Sequence, residues 1–368
     1  MKINEEMIGK AYMVLKDQAF NESYNMYLKK TVASFEFNTT TVDKNSRSVN
    51  SPTSKLNEQD YSKLTNFFKE FATFISKSDF MSSDRFSSLL DSIEVKKLPK
   101  SYESEKSESN LSYFTNVKTK SSYSPRSYNY IIKAPIEIHL IDTLWGLLIG
   151  KNIEKSLSEN VYGNRLTDNS IDFEKKYSLV KSSNHMFKFY YSQYRDWRNG
   201  AISTASEISK KDENVAILAL DIKSFYYSLD VDIKKIPYGD FSYINEALEK
   251  ILLKFNDLLS LVNDESITET ALPIGFFSSA IIANYTLAHF DDYVVKEVRP
   301  SYYGRYVDDL LFVFKNPVID IDNPTLKFIE RYFKGLISLN EDGNYRITSK
   351  DSVNRKDFIV QEKKVVLQ

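Results

Sequence analysis

The chain has 368 residues, enough for one large domain or two to three smaller ones at roughly 150 residues each. Hydrophobic residues at 42% and charged residues at 27% are globular proportions, which excludes a chain that is disordered overall. The 49 basic and 50 acidic residues leave a formal charge of −1, so any polyanion must be held by a local basic groove and not by bulk charge.

Cysteine is absent, which excludes disulfides and thiolate zinc sites. The three histidines, His139, His185 and His289, are too dispersed for a histidine-rich metal centre. The opening MKINEEMIGKAYMVLKDQ carries acids where a signal peptide needs an apolar core. No run of about 18 apolar residues occurs, so a cytoplasmic protein with no membrane partner is expected. Aromatic residues, 25 Tyr and 24 Phe, suit a core, a base-stacking surface or both.

In chain order, Tyr61, Leu64, Phe68, Phe71 and Ile75 follow the helical repeat and predict an amphipathic helix over residues 59–77. Residues 101–130 hold nine serines and five tyrosines with little apolar periodicity, which predicts a long loop or strand pair. From Tyr130 onward a strand and then a buried helix are expected. VAILALD, residues 215–221, is a continuous apolar run ending in an acid, the pattern of a buried central strand. Ile244, Leu248, Ile251, Leu252, Phe255 and Leu259 predict a second strong helix. A third spans 278–290, with Ser278 or Ser279 as its N-cap. SYYGRYVDDLLFVF reads as a hairpin with Asp308 and Asp309 at its turn. Leu326, Ile329, Phe333 and Leu336 mark a fourth helix, and residues 344–368 predict two short strands. This order indicates an α+β protein with helices on one face of an antiparallel sheet.

Two places put charge where burial is expected: Asp221 at the end of an apolar strand, and Asp308-Asp309 inside an apolar hairpin. Buried carboxylates cost several kcal/mol unless they are paired or neutralised. Hard Mg²⁺ prefers carboxylate oxygens and phosphates. Two such ions about 4 Å apart support in-line phosphoryl transfer. Ordinary turn and capping roles are the alternative for each acid taken alone.

Three segments together resemble motifs A, B and C of reverse transcriptases. They are Ala219-Leu220-Asp221-Ile222-Lys223-Ser224-Phe225-Tyr226-Tyr227, Leu272-Pro273-Ile274-Gly275 followed by Ser278 to Asn284, and Tyr306-Val307-Asp308-Asp309. Asp221 and Asp308 lie 87 residues apart, an interval that suits the family's palm. The resemblance implies that Asp221 and Asp308 bind metal, with the Ile222 carbonyl, and that Asp309 is the adjacent catalytic acid. Tyr226, with Phe225 beside it, falls at the position that stacks under the sugar and excludes a 2′-hydroxyl. Pro273 and Gly275 would shape the turn under the nucleotide, Lys133 and Arg165 would meet triphosphate or template, and Lys364 is a candidate general acid for pyrophosphate. The chain departs from many members at Ile274 and Ser279, where they carry Gln and Pro.

Upstream, residues 158–166 and 190–198 resemble the fingers of the bacterial antiphage subset, including the abortive-infection type. The implied architecture is a right-hand polymerase with fingers and an antiparallel palm sheet packed by helices, its thumb short or absent, since 59 residues follow Asp309. Residues 1–130 form an N-terminal, mostly helical region with a Ser/Tyr-rich loop, and 131–220 the fingers. Residues 221–343 form the palm with a helical insertion at 243–271, and 344–368 its end or a reduced thumb. The implied activity is RNA-directed DNA polymerisation in antiphage defence, using two Mg²⁺ (or Mn²⁺), dNTPs and an RNA template, such as a dedicated non-coding RNA, to give a DNA product. A partner chain or RNA could take the place of the thumb, and a partner protein or a homo-oligomer is among the expected partners. Template-independent or protein-primed DNA synthesis on the same site is one alternative; a non-catalytic RNA-binding scaffold is another.

Overall fold

The computed structural model describes residues 2–21, 25–39, 58–102, 125–171, 185–262, 271–349 and 353–368. Three helices open the chain, α1 (Glu5–Asn21), α2 (Met26–Thr39) and α3 (Glu58–Ile75). Leu64, Phe68, Phe71 and Ile75, whose spacing predicts α3, are all buried. Helix α4 (Asp84–Asp91) starts where the Ser83 hydroxyl accepts from the Phe86 N–H at 3.2 Å. Strands β1 (Glu94–Tyr102) and β2 (Pro125–Lys133) form an antiparallel hairpin, so the ends of the Ser/Tyr-rich stretch are strands. Residues 103–124 of that stretch lie outside the described residues.

Helix α5 (Ile136–Leu148) is mostly apolar and buried along nearly its whole length, which places it at the centre of the molecule. Helices α1, α10 and α11 pack on it, α10 being Ser242–Val262 and α11 Phe277–Thr286. Between them come α6 (Gly150–Glu154), α7 (Asp168–Ile171), α8 (Tyr190–Ser209), β3 (Val215–Asp221) and α9 (Phe225–Ser228). After α11 follow α12 (Ala288–Tyr293), β4 (Tyr302–Tyr306), β5 (Asp309–Lys315) and α13 (Pro324–Phe333). Four short strands end the chain: β6 (Ile337–Leu339), β7 (Tyr345–Ile347), β8 (Phe358–Ile359) and β9 (Val366–Leu367).

The main sheet is antiparallel throughout, in the order β4-β5-β3-β9, and β6-β7-β8 form a second small sheet. Its two faces are both covered, contrary to the expectation of helices on one side. Along β5, Leu310, Phe312 and Phe314 alternate into the main core, where Phe312 and Phe314 meet Phe333 and Phe328 of α13. Leu311 and Val313 point the other way and pack with Ala201, Ala205 and Ile208 of α8. The period of two that buries one set of side chains also presents the second set, which is apolar and recruits its own helix.

Two further expectations are corrected. Neither Ser278 nor Ser279 caps α11; the N-cap position is Phe276, and the Asp142 carboxylate of α5 accepts from Phe277 N–H at 2.8 Å and Ser278 N–H at 3.0 Å. A carboxylate from a neighbouring helix therefore replaces the local cap. The C-terminal stretch supplies three strands rather than two, and β9 joins the main sheet beside β3. Helix α10 covers Ser242–Val262, overlapping the stretch 243–271 expected as a helical insertion, and residues 263–270 lie outside the described residues.

Candidate active site

The carboxylates converge because strand pairing forces them together. In the antiparallel ladder Asp221, at the end of β3, is the direct partner of Asp309, the first residue of β5. Tyr306 pairs with Asp309, so only Val307 and Asp308 remain to turn the hairpin. The Ile222 N–H donates to the Asp308 carbonyl at 3.1 Å, fastening the turn to the strand end. Val307 sits at φ 57°, a left-handed conformation that a β-branched residue rarely adopts. Such strain persists only where the surroundings hold it.

Asp221 is buried, with 6% of its surface exposed, and Asp308 and Asp309 are half-buried. Burial raises the carboxyl of Asp309 above the ordinary range, and the neighbouring Asp308 and Asp221 raise it further. Asp308 is shifted upward for the same first reason, burial, with Asp221 adding to it. The Lys364 ammonium meets this crowding directly by donating to Asp221 Oδ2, the Gln361 amide donates to Oδ1, and the charge of Lys100 acts on Asp308 from further away. Asp221 raises the Lys364 pKa above its usual value. The Gln361 N–H also donates to the Asp221 carbonyl at 2.8 Å, so the tail is laid along the end of β3.

Beneath the turn lies a fully buried brace. Arg305 of β4 has no exposed side-chain surface and donates Nε to Asp291 Oδ1 at 2.9 Å and Nη2 to Oδ2 at 2.7 Å. Its remaining N–H groups reach the Asn284 side-chain oxygen, the Asn284 carbonyl and the Val307 carbonyl, each at 3.0 Å. All five donors of the guanidinium are thus used, and one of them holds the strained turn residue. Residues 160–162 run beside β4: the Arg305 N–H donates to the Asn160 carbonyl and the Tyr162 N–H to the Arg305 carbonyl, both at 2.8 Å. Gly163 then passes so close that a Cβ there would stand 2.6 Å from Val307 Cγ2 and 2.9 Å from its backbone nitrogen.

Asn284 links this brace to a cleft. Its amide donates to the Gly163 carbonyl at 2.7 Å, and the amide of Asn164 meets the Tyr226 hydroxyl at 3.4 Å. Tyr226 and Asn164 line a cleft of about 480 Å³ together with Ile131, Ile274, Gly275 and Phe277. Gly275, at φ 102°, is required there, because a Cβ would come within 2.6 Å of the Asn25 amide. Pro273 is buried two residues before it.

Three sequence-selected residues are not brought to this cleft. Phe225 is 3% exposed and packs on Phe358, which makes it a core residue. Arg165 donates to Glu154 at 2.7 Å and to the carbonyls of Ser158 and Val161, so its guanidinium staples a loop. Lys133 pairs with Glu94 across the β1–β2 hairpin, and that pair with Lys96 lowers the Glu94 pKa to about 2. Sequence reasoning in turn missed Gln361, Asn164, Asp291 and Arg305. A charged Arg305 inside the apolar run YYGRY was the available signal for the brace.

The donor set is composed of hard oxygens. Among the described residues, no three acidic, histidine or cysteine side chains stand together as a metal-holding group. The crowded carboxylates nevertheless fit a hard divalent cation: burial opposes their charge, and Asp221 already draws an ammonium. No helix of the described residues is long and apolar enough to cross a membrane.

No curated protein matches the chain. A family model described as reverse transcriptase (RNA-dependent DNA polymerase) matches residues 147–334, a little over half of the chain. That span contains Asp221, Tyr226, Gly275, Asn284, Arg305, Asp308 and Asp309, which the fold gathers at one end of the main sheet and the adjoining cleft. The chain belongs to the reverse transcriptase family and is an RNA-directed DNA polymerase, a nucleotidyltransferase.

Proposed function

We propose that DNA synthesis takes place at Asp221, Asp308 and Asp309, on a dedicated non-coding RNA template and in the service of antiphage defence. The observation that supports this most is the pairing of Asp221 with Asp309 across β3 and β5, with Asp308 at the strained turn between β4 and β5. Reverse transcriptase domains use divalent metal ions, and Asp221, Asp308 and the Ile222 carbonyl would hold two Mg²⁺ here, with Mn²⁺ as a substitute. Bound there, the ions would supply the charge that activates the attacking 3′-hydroxyl and stabilises the leaving oxygen.

The chain's own residues do the rest. Tyr226, held by Asn164, lies under the sugar of the incoming dNTP and excludes a 2′-hydroxyl. Pro273 and Gly275 shape the floor beneath the nucleotide. Lys364, kept protonated beside Asp221, gives its proton to the departing pyrophosphate. Residues 131–220 act as fingers, 221–343 as palm and 344–368 as the palm's end with a reduced thumb, after an N-terminal region spanning 1–130. The antiphage assignment is supported by residues 158–166 and 190–198, the segments that resemble that subset.

A non-catalytic scaffold has no physical use for three crowded carboxylates at a strand end. Incorporation of labelled dNTPs with Mg²⁺ by the purified protein, with and without copurifying RNA, tests the proposal. Synthesis that depends on the RNA supports a templated polymerase; synthesis without it would contradict the template assignment. Tyr226→Ala is expected to admit NTPs at least about tenfold better relative to dNTPs, the scale on which one lost pocket contact discriminates. An unchanged NTP:dNTP ratio would remove Tyr226 from the sugar site.

A further inference from the structure

Two residues far apart in sequence meet beside the cleft. Asp17 lies near the C-terminal end of α1 and His185 opens the segment 185–189; Asp17 Oδ2 stands 2.7 Å from His185 Nδ1, with about a quarter of each side chain exposed. Neither residue belongs to the carboxylate cluster or its brace. Their neighbours, however, line the cleft that contains Tyr226 and Gly275: Gln18 follows Asp17, and Phe187 lies two residues after His185. The N-terminal region reaches the cleft at a second point. Buried Asn25 accepts from the Leu28 N–H on Oδ1 at 3.1 Å, and its amide is the group that a Cβ on Gly275 would meet at 2.6 Å. Residues of α1 and of the turn into α2 are therefore built into the wall and floor of the cleft, although the family match begins only at residue 147.

The segment that carries His185 is anchored to the rest of the cleft. The Thr167 N–H donates to the Met186 carbonyl at 3.0 Å and the Lys188 N–H to the Arg165 carbonyl at 2.7 Å, which bridges Phe187 to Leu166. Met186 is fully buried against α5, where a Cβ on Gly146 would meet its Cε at 3.0 Å. Phe187 packs on Phe277 at the start of α11, with ring centroids 5.8 Å apart. Helix α1 has a buried ion pair of its own, in which Lys16 Nζ donates to Glu36 of α2 at 2.6 Å. That pair serves the packing of α1 on α2. The Asp17–His185 pair joins α1 to the cleft, and its partial exposure lets a substitution open it without stranding a buried charge.

We propose that Asp17 and His185 are positioning residues of the synthetic site: their pairing clasps the end of α1 to residues 185–189 and so fixes Gln18 and Phe187 in the wall of the nucleotide cleft. The inference rests on the reading of that cleft, with Tyr226 and Gly275, as the place of the incoming dNTP. The clasp touches no reacting atom. Gln18 meets the nucleotide through a carboxamide that both donates and accepts, and the clasp sets how well that wall is formed before the nucleotide arrives. Preorganisation of this kind strengthens ground state and transition state alike, so it shows in KM and not in kcat.

The test is steady-state incorporation of labelled dNTPs by the full chain with Mg²⁺ and its copurifying RNA, with KM and kcat read separately. Asp17→Asn and His185→Asn are each expected to raise KM for dNTP about three- to fivefold, the most that a partly exposed ion pair supplies, while kcat stays within about twofold of wild type. The double variant should be no worse than either single one, because both remove the same contact. Gln18→Ala leaves the clasp intact and should raise KM in the same way, which keeps the test decisive if the clasp variants fail to fold. Unchanged KM in all three, a fall in kcat at unaltered KM, or additive losses in the double variant would each overturn the clasp. Wild-type protein that makes no DNA would sink the synthetic site and the clasp together, whereas wild-type synthesis with unaltered KM in the variants would sink the clasp alone.

Discussion

Two charged constellations lie within five residues of each other on the same hairpin, and they differ in how their charge is balanced. Around Arg305, a single guanidinium meets a single carboxylate bidentately, every donor has an acceptor, and neither side chain has exposed surface. Around Asp308, three carboxylates crowd together with Lys364 bonded to one of them and Lys100 acting on Asp308 from a distance, burial and mutual repulsion push two of them above the ordinary range, and the turn that carries them is strained. The first arrangement is complete as it stands and can serve only to hold. The second is incomplete and invites a cation and a phosphate. Closed buried pairs and crowded carboxylates look alike in sequence, as charges in apolar runs; their partners tell them apart.

Breaking the closed pair produces the largest effect on stability. Arg305→Ala leaves Asp291 buried without its counter-charge, and about 3–5 kcal/mol of unfolding free energy should be lost. Chemical denaturation measures this, and a loss under about 1 kcal/mol would show that the brace is dispensable. Arg305→Lys keeps the charge but forfeits the bidentate fork and the hold on Val307. It is expected to unfold less readily than Arg305→Ala and still to lose synthesis.

A smaller effect concerns Asp142, the remote cap of α11, whose carboxyl burial raises to about 7. A raised folded-state pKa means stability that is present below the unfolded carboxyl pKa and is lost as pH rises through the folded value. Unfolding free energy should therefore fall between pH 5 and pH 7, at up to about 1.4 kcal/mol per pH unit from this group. Asp142→Asn should flatten that fall; an unchanged slope would show that Asp142 stays ionised. The smallest effect belongs to the exposed Lys296–Asp292 pair of helical i,i+4 spacing, 2.8 Å apart. Lys296→Ala should cost no more than about 0.5 kcal/mol, and a larger loss would mean that exposure is a poor guide to balance here.

Much of this contrast was legible in sequence, and what was not has a common cause. VAILALD ending in Asp221 and the hairpin around Asp308 follow from local periodicity, so α3, β3, α10, β4, β5 and α13 fall where they are expected. Features that depend on distant partners do not show locally. Asp142 reaches α11 across 135 residues of sequence, and Lys364 returns to Asp221 across 143. Arg165 and Lys133 are typical phosphate ligands by type, yet Glu154 and Glu94 had already claimed them. The small cluster under α8 required knowing that Leu311 and Val313 find a helix on the second face of the sheet.

The central claim is that the crowded carboxylates are retained for chemistry and not for folding. Asp308→Asn tests it most directly, with dNTP incorporation and thermal unfolding measured on the same preparation. Because the Asp308 carboxyl is shifted upward in the folded protein, its ionised form opposes folding at neutral pH. The variant should therefore melt no lower than the wild type while synthesis falls by about 10⁴-fold or more. Retained synthesis, or a melting point several degrees lower without metal, would contradict the account.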